Sequence, residues 1–372
     1  MASSGETRIF NRRDQIVEGW YFALPSKDLR RGQAKPLRLI GEELVIYRGE
    51  DGETRAMQAY CPHMGAHLAE GRVQGNSIRC MFHYWKFAAD GRLEDIPCSS
   101  SPLPRKAALK TWPVAEKYGM IWIWTGPEAR TPVPYVPELK DVETEAMLGN
   151  RFTKACHPNV VMINAIDAQH FFSVHPMARR LAGKLRLEPY DRDTHNIEFR
   201  NSTPVPRNSL LNKVIAKLYR GPLTYWMSYW FGTTGSVTLG PDFLHFHIIF
   251  ALRPTPDGQT EGQTILVTKR RPGPFGYLLS RGFLFATKMV GDYFAKGDTK
   301  IFQTINFQLK TPIAEDQAII RFIAHTEKQT VANWGISARP QVEASRRGAI
   351  AAPELTARRR EIHPSEDHGD RV

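Results

Sequence analysis

Two short segments, each with one cysteine and one histidine, constrain the fold of this chain more than any other feature. In the first segment one residue separates Cys61 from His63, and in the second two residues separate Cys80 from His83. Thiolates and imidazoles together bind zinc or an iron–sulfur cluster, so both segments are expected to form loops around one metal centre. A tetrahedral zinc ion and a [2Fe-2S] cluster with histidines on one iron are both compatible with this ligand set.

The remaining cysteines argue against a disulfide scaffold. Only four cysteines occur in 372 residues, and the N-terminal segment lacks the apolar core of a secretory signal. We therefore expect a cytoplasmic protein in a reducing compartment, where patterned cysteines bind metals rather than pair with each other. Cys98 and Cys156 have no ligand partner at a suitable spacing and are expected to be ordinary thiols.

The composition, with 42% hydrophobic and 24% charged residues, is typical of a soluble globular protein. No apolar run approaches the ~20 residues of a membrane-spanning helix, so no transmembrane span is expected. The net charge of +12 would suit nucleic acid, anionic lipid or an acidic protein. Because no nucleic-acid motif is present, we expect no nucleic-acid partner and favour an acidic electron-donor protein.

The distribution of apolar residues and prolines predicts a chain of two domains and a tail. Short alternating segments over 38–125 predict strands and hairpins. Four prolines over 126–141 predict an extended connection. The predicted parts are 1–130, 140–338 and a basic, disordered tail over 339–372.

The second predicted domain combines long strand-like runs with helices. A helical stretch covers 277–296, and the run over 317–326 is strand-like. The predicted class is α+β, with a helix packed on an antiparallel sheet.

A second group of metal-ligand side chains lies just after the predicted domain boundary. Asn164, Asp167, His170 and His175 form an N-x2-D-x2-H-x4-H string that predicts one helix ended by Pro176. On a regular helix, side chains five residues apart point about 140° from each other. The two histidines can therefore share a metal only beyond the helix end or on a distorted helix. Two histidines and one carboxylate form the triad of ferrous oxygenases, so a carboxylate from elsewhere is expected.

Together the two motifs resemble those of the Rieske non-haem iron oxygenases, in particular their oxygenase components, from about residue 15 to about residue 335. The resemblance implies an N-terminal all-β Rieske domain with one [2Fe-2S] cluster, held by Cys61, His63, Cys80 and His83. It also implies a C-terminal catalytic domain of the helix-grip (START/Bet v 1-like) class with an antiparallel sheet.

The same resemblance implies one mononuclear Fe(II) per chain, held by His170, His175 and a later aspartate. In the family, an apolar and an aromatic residue follow that aspartate. Asp298 fits this context, while Asp292 and Asp316 are nearby alternatives.

The resemblance further implies a homotrimer in which Asp167 has a catalytic role. Its carboxylate would join His170 to the partner subunit's His83, and would thereby offer a short electron path between neighbouring subunits.

The expected reaction is the oxidation, most simply the monooxygenation, of an apolar aromatic or polycyclic substrate by O₂. Electrons would come from a separate ferredoxin or ferredoxin reductase, because no nicotinamide or flavin fingerprint is evident. Demethylation, desaturation and oxidative cyclisation are alternatives. A zinc-stabilised ligand-binding protein without redox activity is an alternative of another class. A Rieske electron carrier would need only the first ~130 residues.

Nine aromatic residues lie between Leu210 and Phe250, and some are expected to line an apolar substrate cavity. They are Tyr219, Tyr225, Trp226, Tyr229, Trp230, Phe231, Phe243, Phe246 and Phe250.

Overall fold

The computed structural model describes residues 7–100, 102–175, 187–190, 196–207 and 209–334. The predicted tail over 339–372 and the predicted helix end at Pro176 lie outside these residues.

Three small antiparallel sheets form the N-terminal part. Buried apolar runs explain the central strands: every residue of Met120–Trp124 is buried, as are Leu44, Val45, Ile46 and Tyr47. The first sheet has the order β1-β11-β10, the second β2-β3-β4-β9 and the third β5-β6-β7-β8. The strands are β1 (Trp20–Pro25), β2 (Ala34–Leu39), β3 (Glu42–Arg48), β4 (Thr54–Gln58), β5 (Arg72–Gln74), β6 (Ser77–Arg79), β7 (Lys86–Phe87), β8 (Leu93–Asp95), β9 (Thr111–Trp112), β10 (Val114–Lys117) and β11 (Met120–Trp124).

The proline-rich segment that follows contains one short 3-10 turn, Pro137–Leu139, and no strand or α-helix before Thr144. This agrees with the predicted extended connection, because proline lacks the N–H group that sheets and helices require.

One antiparallel sheet of seven strands dominates the C-terminal part, in the order β12-β18-β17-β16-β15-β14-β13. β12 is therefore an edge strand that pairs only with β18. The strands are β12 (Thr144–Lys154), β13 (Glu188–Pro189), β14 (Asn196–Pro204), β15 (Pro222–Trp230), β16 (Thr234–Pro241), β17 (Phe246–Pro254) and β18 (Thr260–Lys269).

Five helices accompany this sheet in the described residues. The longest, α4, packs on β12, β17 and β18, and its Leu284 joins a core with Ile248 and Leu266. The class is α+β, as predicted. The helices are α1 (Pro158–Asn164), α2 (Ala168–Val174), α3 (Leu210–Leu218), α4 (Gly273–Thr304) and α5 (Gln317–Glu327). None of these helices is long and apolar enough to cross a membrane.

Two sequence predictions were wrong. The predicted single helix around Asp167 is two helices, because the Asp167 side chain accepts hydrogen bonds from two backbone N–H groups and begins a second helix. The strand-like run over 317–326 is α5, in which Ala318, Ile319 and Phe322 are buried. Their spacing places them on one helical face, which short apolar runs do not distinguish from strands.

Candidate metal centres and cavity

Two tight loops bring the four predicted cluster residues together. The first follows β4 and is closed by a hydrogen bond from the backbone N–H of Cys61 to the carbonyl of Ala66 (2.9 Å). The second follows β6 and is closed by a bond from the N–H of Cys80 to the carbonyl of Trp85 (2.9 Å). The first loop turns at Gly65, whose φ of +76° favours glycine.

The side chains of these loops separate into a buried sulfur side and an exposed imidazole side. The Cys61 and Cys80 thiols are buried, and burial raises the pKa of Cys61 to about 11. The Nδ1 atoms of His63 and His83 lie 3.1 Å apart, and the His63 ring stacks on Trp85. Paired thiols beside paired imidazole nitrogens fit a cluster with sulfur ligands on one iron and nitrogen ligands on the other.

A second centre forms where α2 ends against α4. His170 lies within α2, whereas His175 follows its last residue with φ −113° and ψ 81°, outside the helical region. Because His175 has left the helical conformation, its ring can reach His170 despite the 140° that would separate the two side chains on a regular helix. The two Nε2 atoms lie 3.0 Å apart, and Oδ1 of Asp298 lies 2.9 Å from His170 Nε2 and 3.0 Å from His175 Nε2.

This buried group fits a divalent cation. Two imidazole nitrogens and one carboxylate oxygen point at one position, and a metal ion would accept a lone pair from each of them. Burial raises the pKa of Asp298, but its hydrogen bonds to both imidazoles outweigh burial and hold the pKa below its ordinary value. In the described residues, His170, His175 and Asp298 form a group that could hold a metal ion.

Asn164 orients the carboxylate from the other side. Its Nδ2 donates a hydrogen bond to Oδ2 of Asp298 (2.9 Å), which leaves Oδ1 to face the histidines. The sequence motif contained Asn164, but no role was predicted for it. Gly297 allows the His175 ring to lie close to α4, because a Cβ atom at this position would be only 3.1 Å from Cε1 of His175.

The two alternative aspartates lie elsewhere. Asp292 forms an ion pair with Lys288 (2.6 Å) and accepts a hydrogen bond from Asn150. Asp316 accepts a hydrogen bond from the backbone N–H of Ile313 (2.9 Å). Of the three candidates, the structure brings only Asp298 to the histidines within the described residues.

Asp167 lies beside this centre without entering it. Its Oδ1 accepts hydrogen bonds from the backbone N–H groups of Gln169 (2.9 Å) and His170 (3.1 Å). The described residues show no hydrogen bond between the His170 ring and Asp167. The bridging role therefore stays a prediction.

A family model described as the Rieske [2Fe-2S] domain matches residues 19–113. The chain contains a Rieske domain. Its match covers β1 to β9 and both loops, which favours the [2Fe-2S] cluster over structural zinc. The outer ends of these two loops, which carry His63 and His83, form the tip of the Rieske domain.

The chain is also similar to curated relatives, over more residues than the Rieske domain contains. The chain is 38% identical over 161 residues to "Cholesterol 7-desaturase nvd" of Bombyx mori, which is 42% of this chain and 35% of that protein. It is 34% identical over 168 residues to "Probable 3-ketosteroid-9-alpha-monooxygenase, oxygenase component" of Rhodococcus rhodochrous, 44% and 42%. It is 32% identical over 178 residues to "Aminopyrrolnitrin oxygenase PrnD" of Pseudomonas fluorescens, 45% and 48%. The chain thus spans less than half the length of these relatives.

Solved structures show that the fold is that of Rieske oxygenases. The terminal oxygenase of carbazole 1,9a-dioxygenase from Nocardioides aromaticivorans matches with a TM-score of 0.60 and 18% identity, over 86% of this chain and 95% of that one. Dicamba monooxygenase matches with a TM-score of 0.56 and 19% identity, over 88% and 98%. The predicted resemblance and fold are therefore confirmed, and the Rieske domain and the His-His-Asp group agree with the predicted cofactors.

A cavity of about 420 Å³ extends from the His-His-Asp centre. Residues of β12, α1, α4 and the sheet line it, including Asp298, Met227, Phe250 and Leu266. A smaller adjoining cavity of about 70 Å³ shares Asp298 and reaches His175. Mostly apolar cavities of this size hold small organic ligands.

Few of the nine predicted aromatic residues line the cavities. Phe250 borders both and Tyr225 borders the smaller one, whereas Tyr229 and Trp230 are buried core residues and Phe243 is exposed. β12 and α4 also contribute polar side chains to the cavity wall. The Lys154 ammonium donates a hydrogen bond to Oγ1 of Thr299 (2.7 Å), and burial lowers the pKa of Lys154.

Proposed function

We propose that this chain is the oxygenase component of a Rieske system that uses O₂ to monooxygenate an apolar aromatic or polycyclic substrate. The observation that carries the proposal is the convergence of His170, His175 and Asp298 on one position, next to a mostly apolar cavity whose wall includes Asp298. The same chain contains a Rieske domain. A Rieske electron carrier would have no use for the second centre.

Each centre has its own proposed ligands. Cys61 and Cys80 would hold one iron of the cluster, and His63 and His83 the other. His170, His175 and Asp298 would hold Fe(II) on one side and leave coordination positions open toward the cavity. When bound, the cluster supplies single electrons and the Fe(II) supplies O₂ activation.

The protein's own contribution is positioning and exclusion of water. Asn164 fixes the orientation of the Asp298 carboxylate, and such supporting hydrogen bonds keep ligands in place. The apolar walls formed by Met227, Phe250 and Leu266 would hold the substrate next to the open positions.

Electron delivery is proposed to occur between subunits of a homotrimer. The tip of the Rieske domain is apolar and exposed, because Met64, Met81, Phe82 and Tyr84 surround the two cluster histidines. An exposed apolar tip beside a redox centre suits docking on a second copy. We propose that it docks near Asp167, whose carboxylate would contact the partner subunit's His83.

Electrons would reach the cluster from a separate ferredoxin or reductase, and the cytoplasmic location stays a prediction.

Asp167→Asn tests this path. The variant should bind both metals and keep the trimer in sedimentation, but should slow product formation severely in a single turnover of the prereduced protein. Unchanged single-turnover rates would contradict the bridging role.

The decisive experiment for the proposed function combines spectroscopy with a single turnover. Anaerobically reconstituted protein should contain about three irons per chain, show a cluster EPR signal after dithionite, and convert an apolar aromatic or steroid-like compound when O₂ is added. Colourless protein that contains zinc would contradict the proposal and favour a ligand-binding protein.

A second reaction deserves the same assay, because one relative is named as a desaturase. Mass spectrometry of the product separates the outcomes. Monooxygenation adds one oxygen atom, desaturation and oxidative cyclisation remove two hydrogens, and demethylation replaces a methyl group with hydrogen.

A further inference from the structure

The short helix α3 exposes three large apolar side chains to solvent. Asn212 and Ala216 are buried, whereas Leu210, Val214 and Leu218 are exposed, Leu218 by 83%. These three leucine and valine side chains follow each other at intervals of four residues and therefore share one face. A surface helix normally buries its apolar face against the core. This helix has the opposite orientation.

The first half of α4 repeats the same inversion over several turns. Ser280 and Thr287 are completely buried together with Leu284, while the exposed side consists of large apolar residues. These are Phe275, Tyr277, Leu278, Leu279, Phe285 and Met289. Two polar residues of this half are thus buried beside Leu284, while six large apolar side chains that would gain from burial stay exposed.

Aromatic contacts join the two helices into one surface. The ring of Tyr219, which ends α3, lies 5.3 Å from the ring of Phe243 in the turn after β16. Phe243 is 72% exposed. Three residues later, Phe246 stacks on Phe283 of α4 with ring centroids 5.1 Å apart. We call the exposed side of α3, the Phe243 turn and the first half of α4 the apolar surface.

The charged residues on the segments that form the apolar surface are mainly basic. Residues 201–241 and 262–291 contain no aspartate or glutamate, although a quarter of the whole chain is charged. They contain nine basic residues: Arg207, Lys213, Lys217, Arg220, Lys269, Arg270, Arg271, Arg281 and Lys288. Asp242 and Glu261 border these segments. Two of the nine cations are paired, Lys288 with Asp292 and Arg270 with Glu143, so seven basic residues face two bordering carboxylates.

We propose that the apolar surface docks on a membrane of anionic phospholipids. Apolar side chains that enter the acyl boundary, ringed by lysines and arginines that contact lipid headgroups, are the combination that peripheral membrane binding requires. A second copy of this chain is a poorer occupant. The subunit contact proposed above uses the tip of the Rieske domain and the region of Asp167, which lie outside the apolar surface, and two apolar surfaces placed face to face would bring cations against cations. The surface lies on the membrane rather than spanning it, since no described helix could cross.

This proposal does not depend on the iron chemistry, but it gives that chemistry a substrate source. Gly291, Ala295 and Asp298 of α4 line the cavity, while Phe285 and Met289 of the same helix belong to the apolar surface. Docking would therefore hold the cavity close to the lipid phase in which an apolar substrate dissolves. This last step rests on the proposed function.

Vesicle flotation of the full-length, metal-loaded protein tests the docking. Vesicles of phosphatidylcholine with about 30% phosphatidylglycerol should carry the protein to the top of the gradient, and pure phosphatidylcholine should carry far less. About 0.5 M salt should weaken the binding. The double variant Phe285→Glu/Met289→Glu should bind at least about tenfold more weakly, and so should Lys213→Glu/Lys217→Glu.

Leu103→Glu is the matched control, since Leu103 is also an exposed apolar residue but lies outside the apolar surface. It should float like the wild type. Visible absorption and sedimentation should be unchanged in all variants.

Wild-type protein that stays at the bottom with anionic vesicles would overturn the proposal. A double variant whose only effect is to dissociate an oligomer would also overturn it, by assigning the surface to a second copy. Either result would leave the single-turnover test of the oxygenase reaction unaffected.

Discussion

The two proposed metal centres are built in opposite ways. The cluster residues Cys61 to His83 lie within two neighbouring loops of the Rieske domain, and the imidazole side faces solvent. The second centre is buried, and its carboxylate and the supporting Asn164 are 134 residues apart in sequence. A local centre depends on turn geometry, whereas a nonlocal centre depends on how α2 and α4 pack. Each should therefore fail independently of the other.

The largest effect is expected from Asp298→Ala. Loss of the carboxylate removes one of three ligands, so the variant should contain about two irons per chain, keep the cluster EPR signal and form no product. Iron analysis and single-turnover assays check this. Asp292→Ala is the control, because Asp292 lies on the same helix but bonds to Lys288 and Asn150. Equal iron loss in both variants would contradict the assignment.

The corresponding change at the cluster, in the Rieske domain, is His83→Cys. Replacing imidazole with thiolate should lower the reduction potential from the range of ~−150 to +300 mV toward ~−400 mV. Redox titration followed by EPR measures the shift. The iron at the second centre should remain bound, and a variant that loses both centres would show that they are not independent.

Acid is expected to act mainly on the C-terminal part. Burial lowers the pKa of His157 to about 4 and that of His247 to about 4. Because both histidines are protonated more readily in the unfolded chain, the folded state should lose stability as pH falls from about 6.5 to about 4. The loss approaches roughly 3 kcal/mol for each histidine. Thermal unfolding at several pH values measures it.

His157→Asn isolates one of these contributions. Asparagine can keep the cap that His157 gives to α1, while the titrating group is removed. The variant should show a shallower decline of Tm over this pH range. His67→Asn is the matched control, because His67 caps the turn Leu68–Glu70 in the same way but is only half-buried. An unchanged slope in His157→Asn would refute the explanation.

The smallest effect is expected from Asn164→Leu. Without its hydrogen bond the Asp298 carboxylate can rotate, so iron affinity at the second centre should fall by about 10- to 100-fold with the cluster unchanged. Competition with a chelator measures the affinity. Asn150→Leu removes the same kind of contact to Asp292 and should leave iron affinity near the wild-type value.

The residues proposed for the local centre could be grouped from the sequence, whereas those of the buried centre could be grouped only in part. Cys61, His63, Cys80 and His83 could be grouped because spacing within a loop limits where their side chains can meet. The choice of Asp298 over two neighbours could not be made from spacing, since it depends on the face of α4 that meets His175. For the same reason no role could be predicted for Asn164, whose partner comes from another element.

The antiparallel sheet was predictable from alternation and β-branched runs, whereas helix boundaries and orientations were less so. The break at Asp167 arises from capping by one side chain, and α5 resembles a strand because its apolar residues are few and closely spaced. The outward face of α4 could not be recognised either. Periodicity shows that a helix has an apolar stripe, but it does not show whether that stripe faces the core or the solvent.

The edge position of β12 has an evolutionary consequence. This strand pairs with β18 alone and sends Asn150, Phe152 and Lys154 to the cavity, yet it supplies none of the proposed metal ligands. Substitutions there can reshape the space offered to a ligand while the ligand residues on α2 and α4 stay as they are. Under the proposed function, descendants of such a chain can therefore acquire new substrates through β12 without changing an iron ligand, whereas changes in α4, which both lines the cavity and carries Asp298, put the iron centre at risk.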